Sequence, residues 1–240
     1  MTTLETQQRL IALGYRLPKY GADGHMGNET ADALRQFQRA RNLPVSGTGD
    51  AATLAELFPP QTGDRPASHV VPADWMPAAK MQRIIVHWTA GNHVASGLDK
   101  AHYHLLIEAD GRLVRGVPTI DLNQAPTRKG YAAHTLNCNS GSIGVSLCCM
   151  AGAIESPFNA GKSPMTETQW NRLPQVLADL CRRYGIPVTP QTVLSHAEVQ
   201  TNLKIAQRGK WDVARLAFNP SIVGAKACGD IFRAATVKLL

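Results

Sequence analysis

The residues able to do chemistry sit far apart in the chain. His87 ends the run "RIIVH", His196 ends "TVLSH", and the triplet Lys210-Trp211-Asp212 follows His196 after a polar loop. In an extended segment residues i and i+2 point to the same side. The ammonium of Lys210 and the carboxylate of Asp212 can then face one site together. Two neutral imidazoles and one carboxylate make a donor set suited to a catalytic zinc, which takes three protein ligands and keeps a fourth position for water. No HExxH motif gathers them, so the ligands have to converge from distant parts of the chain. Spacing alone leaves the alternative open that these are ordinary hydrogen-bonded histidines at strand ends.

The elements that would position these groups are legible in outline. "RIIVH" and "SIGVSLCC" read as buried strands, and "YHLLIEADGRLVRGV" as a hairpin turning at Asp110-Gly111. "TETQWNRLPQVLADLCRRYG" reads as a helix with Thr166 and Gln169 at capping-box spacing and Gly185 at its end. Pro174 inside it predicts a kink or a later start. Strands interleaved with helices imply an α/β domain with a central mixed sheet flanked by helices. Residues 218–240 allow one more terminal helix. Residues 59–80 carry five prolines among small polar residues and read as a linker. The expected division is therefore 1–58, linker 59–80, and 81–240.

The first segment reads as a small all-α domain of three helices. Leu4, Gln8, Ile11 and Leu10 are expected on one face of the first, and Thr30, Leu34, Phe37 and Arg41 on one face of the second. Asn28 and Asp50 are available as caps for the second and third.

Composition narrows the function classes. An apolar content of 44% with 18% charged residues describes a folded globular chain, and no apolar run approaches the ~18 residues of a membrane span. The start "MTTLETQQRL" lacks a secretory pattern, which predicts synthesis in a cytosol and access to any wall by another route. A formal charge of +7 suits polyanions or an acidic wall. No basic block is long enough for a nucleic-acid arm, so nucleic acid is not expected as a partner. Five cysteines without a CxxC pair fit neither a disulfide framework nor a cysteine zinc site, and read as buried free thiols.

Two resemblances sharpen this. Leu13-Gly14-Tyr15, Asp23-Gly24, Gly27, Thr30, Phe37-Gln38, Leu43-Pro44-Val45, Gly47 and Thr53-Leu54 resemble, in order, the three-helix peptidoglycan-binding domain of wall hydrolases. "RIIVHWTAG", "AHYHLLIEADGRLVRG", "AAHTLNCNSGSIGVSL" and "SHAEV" followed by "GKWD" resemble the zinc-dependent N-acetylmuramoyl-L-alanine amidases, a family that includes phage lysozyme-amidases and peptidoglycan recognition proteins. That resemblance implies one zinc per chain on His87, His196 and Asp212, with Lys210 aiding catalysis. It implies His134 and Thr89 at the substrate, while His102 and His104 are expected to be structural. Members with a catalytic glutamate carry it where this chain has Ser146. Phage-type members place a tyrosine where this chain has Tyr103, which is therefore expected beside the attacking water. The implied protein is a monomeric peptidoglycan amidase, a phage or prophage endolysin by its layout. A non-catalytic recognition protein and a bacterial recycling or remodelling amidase are the alternatives.

Overall fold

The computed structural model describes residues 2–58 and 69–240. The chain divides into two compact units, Met1–Ala67 and Ser68–Leu240.

The first unit holds helices α1 (Thr3–Ala12), α2 (Asn28–Ala40) and α3 (Ala51–Leu57) around Leu10, Leu17, Leu34, Phe37 and Leu57. Asp50 caps α3 by accepting from the Thr53 amide. The inward face of α1 differs from expectation. Leu10 is buried, but Leu4 and Ile11 are exposed, and Thr6 and Gln7 point inward instead. The reason is polar. The Gln7 carboxamide donates to Asp23 Oδ1 (2.8 Å), His25 O (2.9 Å) and Thr30 Oγ1 (2.9 Å), and accepts from Gly24 N (2.7 Å). Gln38 repeats the arrangement one loop later. It donates to Ser46 Oγ, Thr48 O and Thr53 Oγ1 and accepts from Gly47 N. Each loop turns at a glycine in the left-handed region, Gly24 at φ 81° and Gly47 at φ 75°. Gly27 rather than Asn28 occupies the cap of α2, because the Gln7 clasp on His25 and Thr30 fixes where the chain enters that helix.

The second unit is a five-stranded sheet of order β3-β2-β4-β1-β5. Its strands are β1 (Arg83–Trp88), β2 (Leu105–Ile107), β3 (Leu113–Arg115), β4 (Ser142–Leu147) and β5 (Val193–Ser195). β1 runs parallel to β4 and β5, β2 runs parallel to β4, and β3 closes the edge antiparallel to β2. Among the described residues four α-helices complete it: α4 (Gly97–His102), α5 (Glu167–Tyr184), α6 (His196–Leu203) and α7 (Ala225–Val237).

Alternation along the strands assigns the two faces. Ile84, Val86, Trp88, Ile143, Val145 and Leu147 share a core with Trp170, Leu173, Leu177 and Leu180 of α5 and Phe232 of α7. The intervening residues Ile85, His87, Ser142, Gly144 and Ser146 look the other way. The register sets His87 beside Ser146, and Ser146 beside Leu106. The functional side of the sheet is thus the one α5 does not cover.

α5 starts at Glu167, with the Thr166 and Gln169 capping box in place, and runs 18 residues through a buried Pro174 to Gly185 in the left-handed conformation. No later start is seen. Packing of Trp170, Leu173 and Leu177 holds the helix across the missing amide. Of the stretch read as a linker, residues 59–68 lie outside the described residues. Residues 69–80 dock on the second unit. Asp179 of α5 accepts from Val70 N (2.6 Å) and Val71 N (3.0 Å), while Val71 and Met76 enter the core. An extended proline-rich chain serves equally well free or laid along a helix, and two buried apolar side chains with a carboxylate anchor favour the second here.

Candidate metal centre

The site lies where the parallel strands end. β1 delivers His87 in its last turns of the ladder, fully buried. β5 ends at Ser195, and His196 is the first residue of α6 rather than the last of the strand. That junction is pinned from α7. Arg233 donates to both carboxylate oxygens of Glu198 (3.0 and 2.9 Å), and Glu198 Oε2 accepts from Ser195 N (2.9 Å). Asp212 comes from an irregular segment. Lys210 and Asp212 do not lie in a strand as expected, because the chain turns at Asp212 and Val213 takes φ 64°. Both nevertheless line one cavity of about 510 Å³ with Trp88, Thr89 and Tyr103.

Three ligand atoms converge. His87 Nδ1 lies 3.1 Å from His196 Nδ1, His196 Nδ1 lies 3.2 Å from Asp212 Oδ2, and His87 Nδ1 lies 3.5 Å from the same oxygen. Donors about 2.0–2.1 Å from a tetrahedral zinc stand roughly 3.3 Å apart. The triangle fits that spacing.

The partners of the outward nitrogens favour one tautomer for each ring. His196 Nε2 donates to Gln207 Oε1 (2.9 Å), an acceptor only. With His134 Nε2 donating to Ser142 O (3.4 Å), its Nδ1 is an acceptor 2.8 Å from Thr135 Oγ1 and 3.2 Å from His87 Nε2, and the ring nitrogen and the Thr135 hydroxyl (3.4 Å) together offer the His87 Nε2 proton an acceptor. Both inner Nδ1 atoms therefore present bare lone pairs to each other and to a carboxylate oxygen. Such an arrangement could hold a cation between the three, and orienting partners of this kind are usual for metal-bound histidines. Among the described residues these three form the group that could hold a metal ion.

Electrostatics agree. Burial lowers His87 to about 4, which keeps it neutral and able to ligate at ordinary pH. Burial alone would raise the Asp212 carboxyl, but the His196 and His87 rings outweigh it and hold the group well below the ordinary carboxylate range. Burial first, then the Asp212 charge, raises the Tyr103 phenol above its ordinary value. The Tyr103 ring is tilted against His87 with centroids 5.1 Å apart.

His134 is buried behind His87 and lines a second cavity of about 660 Å³ with His196, Gln207 and Lys210. Its loop is tied by two asparagines. Asn139 Oδ1 accepts from His134 N and Thr135 N, and Asn123 donates to Ala132 O and Asn139 O. His104 is buried between Asn123 Oδ1 (3.0 Å) and Gly144 N (2.9 Å), whereas His102 is exposed at the end of α4. Gly144 is needed in β4, since a Cβ there would stand 2.7 Å from the His134 ring. Ser146 Oγ is fully buried and, among the described residues, is the buried side-chain oxygen or nitrogen without a hydrogen-bond partner.

The profile of the family described as N-acetylmuramoyl-L-alanine amidase matches residues 77–214, more than half of the chain. The chain belongs to that amidase family. A profile described as a putative peptidoglycan-binding domain matches residues 3–57. The N-acetylmuramoyl-L-alanine amidase CwlL of Bacillus licheniformis is 49% identical over 51 residues, which is 21% of this chain and 14% of that one. This chain therefore spans a small part of the curated relatives it matches. Among solved structures, a variant of PlyL is 18% identical with TM-score 0.40 over 66% of this chain and 86% of that one. The amidase AmiD from E. coli is 21% identical with TM-score 0.37 over 50% of each chain.

For this member of the amidase family, sequence reasoning missed Gln207, Asn123, Asn139 and Thr135. Gln207 lies inside the polar loop before Lys210, and nothing local distinguishes it from a solvated glutamine. A carboxamide three residues ahead of Lys210, in a chain already suspected of a histidine metal site, was the available signal.

Proposed function

We propose that this chain hydrolyses the amide between the lactyl group of N-acetylmuramic acid and L-alanine in peptidoglycan, using one zinc ion held by His87, His196 and Asp212. The observation that carries the reading is the convergence of those three donors beside a cavity lined by Lys210 and Tyr103, in a chain of the amidase family. When bound, the ion would supply Lewis acidity and bring the pKa of water to roughly 7. The chain's residues do the rest. Gln207 and His134 keep His196 and His87 in the ligating tautomer. Lys210 faces the carbonyl oxygen as negative charge develops on it, a donor worth about 3–4 kcal/mol in the transition state. Tyr103 stays protonated at neutral pH and orients the attacking water by hydrogen bonding. Water adds to the carbonyl carbon, the carbon–nitrogen bond breaks, and the proton ends on the leaving amine of L-alanine.

The first unit would bind the wall and raise the local concentration of substrate by tethering. Residues 1–58 and 81–240 are the modules of this reading, with the protein acting as a monomer on cell-wall peptidoglycan after release from the cytoplasm of a phage-infected or prophage-bearing host. No helix among the described residues is long and apolar enough to cross a membrane.

The test is release of L-alanine amino termini from purified sacculi by native, chelator-stripped and zinc-restored protein. Activity lost on stripping and regained with zinc is expected. Sacculi bound by the zinc-loaded protein but never cut would overturn the enzyme reading in favour of a wall-recognition protein.

A further inference from the structure

The substrate must run past the metal triad in both directions, one way toward the glycan and the other along the peptide. Two cavities flank the triad. One is lined by Trp88, Thr89 and Tyr103 and the other by Tyr131, His134 and Leu136. Arg208 and Lys210 line both. Lys210 has a role in the reading above. Arg208 has none.

Its placement is specific. Gln207 is clamped on three sides, with its side chain on His196 and Leu136 O and its amide on Gln200 Oε1. Immediately after it the chain bends through two consecutive left-handed residues, Arg208 at φ 53° and Gly209 at φ 70°. A non-glycine residue in that region is uncommon. The bend leaves the Arg208 side chain exposed at the rim the two cavities share. None of the ion pairs among the described residues includes it. The residues lining the two cavities contain a single acid, Asp212, already committed to the histidines. Two cations on the rim and no free carboxylate make a site in want of an anion.

A guanidinium is the side chain best shaped for a carboxylate, which it can grip through two parallel N–H···O bonds. The peptide of peptidoglycan supplies one next to the scissile bond. Its second residue is a glutamate linked through the γ-carboxyl, so the α-carboxyl is left free in some walls and amidated in others. We propose that Arg208 binds this free α-carboxylate and makes the protein selective for peptides in which it is not amidated. The inference rests on the amidase reading for the identity of the ligand. Arg208 acts here on substrate choice and leaves bond cleavage to the groups named above.

The experiment uses two N-acetylmuramoyl tripeptides that differ only in whether that α-carboxyl is free or amidated. Their dissociation constants for the zinc-loaded full chain are measured by calorimetry, and KM and kcat wherever cleavage occurs. The native protein is expected to bind the free acid roughly tenfold or more tightly than the amide, as for loss of a charge-assisted hydrogen bond. Arg208→Gln should bring the ratio close to one by weakening the acid, and Arg208→Lys should restore part of it. A native ratio near one overturns the proposal without recourse to any variant, as does a ratio that survives in Arg208→Gln or a native protein that binds neither fragment. Selective binding without cleavage would uphold Arg208 as the carboxylate reader while removing the amidase reading. Cleavage of both tripeptides with equal affinity would do the reverse.

Discussion

Gln207 offers the sharpest test of how the histidines are held. Its carboxamide oxygen accepts from His196 Nε2 at 2.9 Å and its amide nitrogen donates to Leu136 O at 2.9 Å. Replacing Gln207 with leucine keeps the volume and removes both bonds. Two ordinary hydrogen bonds are worth about 2 kcal/mol together, so the metal-free protein should melt roughly 4–8 °C lower. The larger effect concerns the ion. Without an acceptor on Nε2 the His196 proton is free to move to Nδ1, the atom that faces His87 and Asp212. Loss of such an orienting partner typically weakens metal binding 10- to 100-fold, or about 1.4–2.7 kcal/mol. Competition for zinc against a chromophoric chelator at neutral pH measures it directly. Gln207→Glu separates orientation from packing, because a carboxylate accepts the same N–H and should hold or tighten zinc. The reasoning fails if the leucine variant keeps native affinity to within roughly twofold while being destabilised, or if both variants weaken zinc equally.

Other perturbations test neighbouring parts of the argument. Gly144→Ala drives a methyl group into the His134 ring, and should cost about 1–3 kcal/mol in denaturant unfolding and loosen zinc by displacing the partner of His87. Ser146→Ala removes a buried hydroxyl that has no partner among the described residues, so unfolding should be unchanged or up to about 1 kcal/mol harder; a clear loss of stability would show that the hydroxyl is bonded in solution. Gln38→Ala strips the clasp from the loop of Ser46, Gly47 and Thr48, and about 2–4 kcal/mol should be lost from the first unit, read as an earlier melting step with weaker binding to sacculi. His104 is lowered to about 4 by burial, against an unfolded value near 6.5. The unfolded chain thus binds the extra proton between those values. The His104 contribution is intact above pH 6.5 and declines as pH falls toward 4, at up to about 1.4 kcal/mol per pH unit. Unfolding curves across that window should show a shallower decline in His104→Gln.

Much of the fold could be read from local signals, and the exceptions share a cause. Ile84 to Val86 and the Asp110-Gly111 turn announce themselves through side-chain shape and backbone preference. Thr166 and Gln169 do so through a spacing that works only at a helix start. Gln7 could not be placed this way. Its burial depends on Asp23, Gly24, His25 and Thr30, which reach it only in the folded unit, and hydrophobic periodicity points to Leu4 and Ile11 instead. Residues 69–80 were equally opaque, since prolines describe an extended chain and say nothing about what lies beneath it. At the site, residue type and family likeness nominated His87, His196 and Asp212, and the fold brings their ligand atoms together. The lysine–aspartate pair reaches one cavity by a turn and not by the alternation of a strand. The tautomer chain through His134 and Gln207 was beyond reach, because a hydrogen-bond partner on another loop leaves no local trace.

The five cysteines carry a consequence of their own. All are free and buried. Burial raises Cys148 and Cys181 to about 12 and Cys228 to about 11, and raises Cys149 well above its ordinary value. Thiolate is the form that oxidants and disulfides attack, and at neutral pH these four side chains hold almost none of it. Burial thus keeps these four thiols in the protonated form that takes little part in thiol–disulfide exchange.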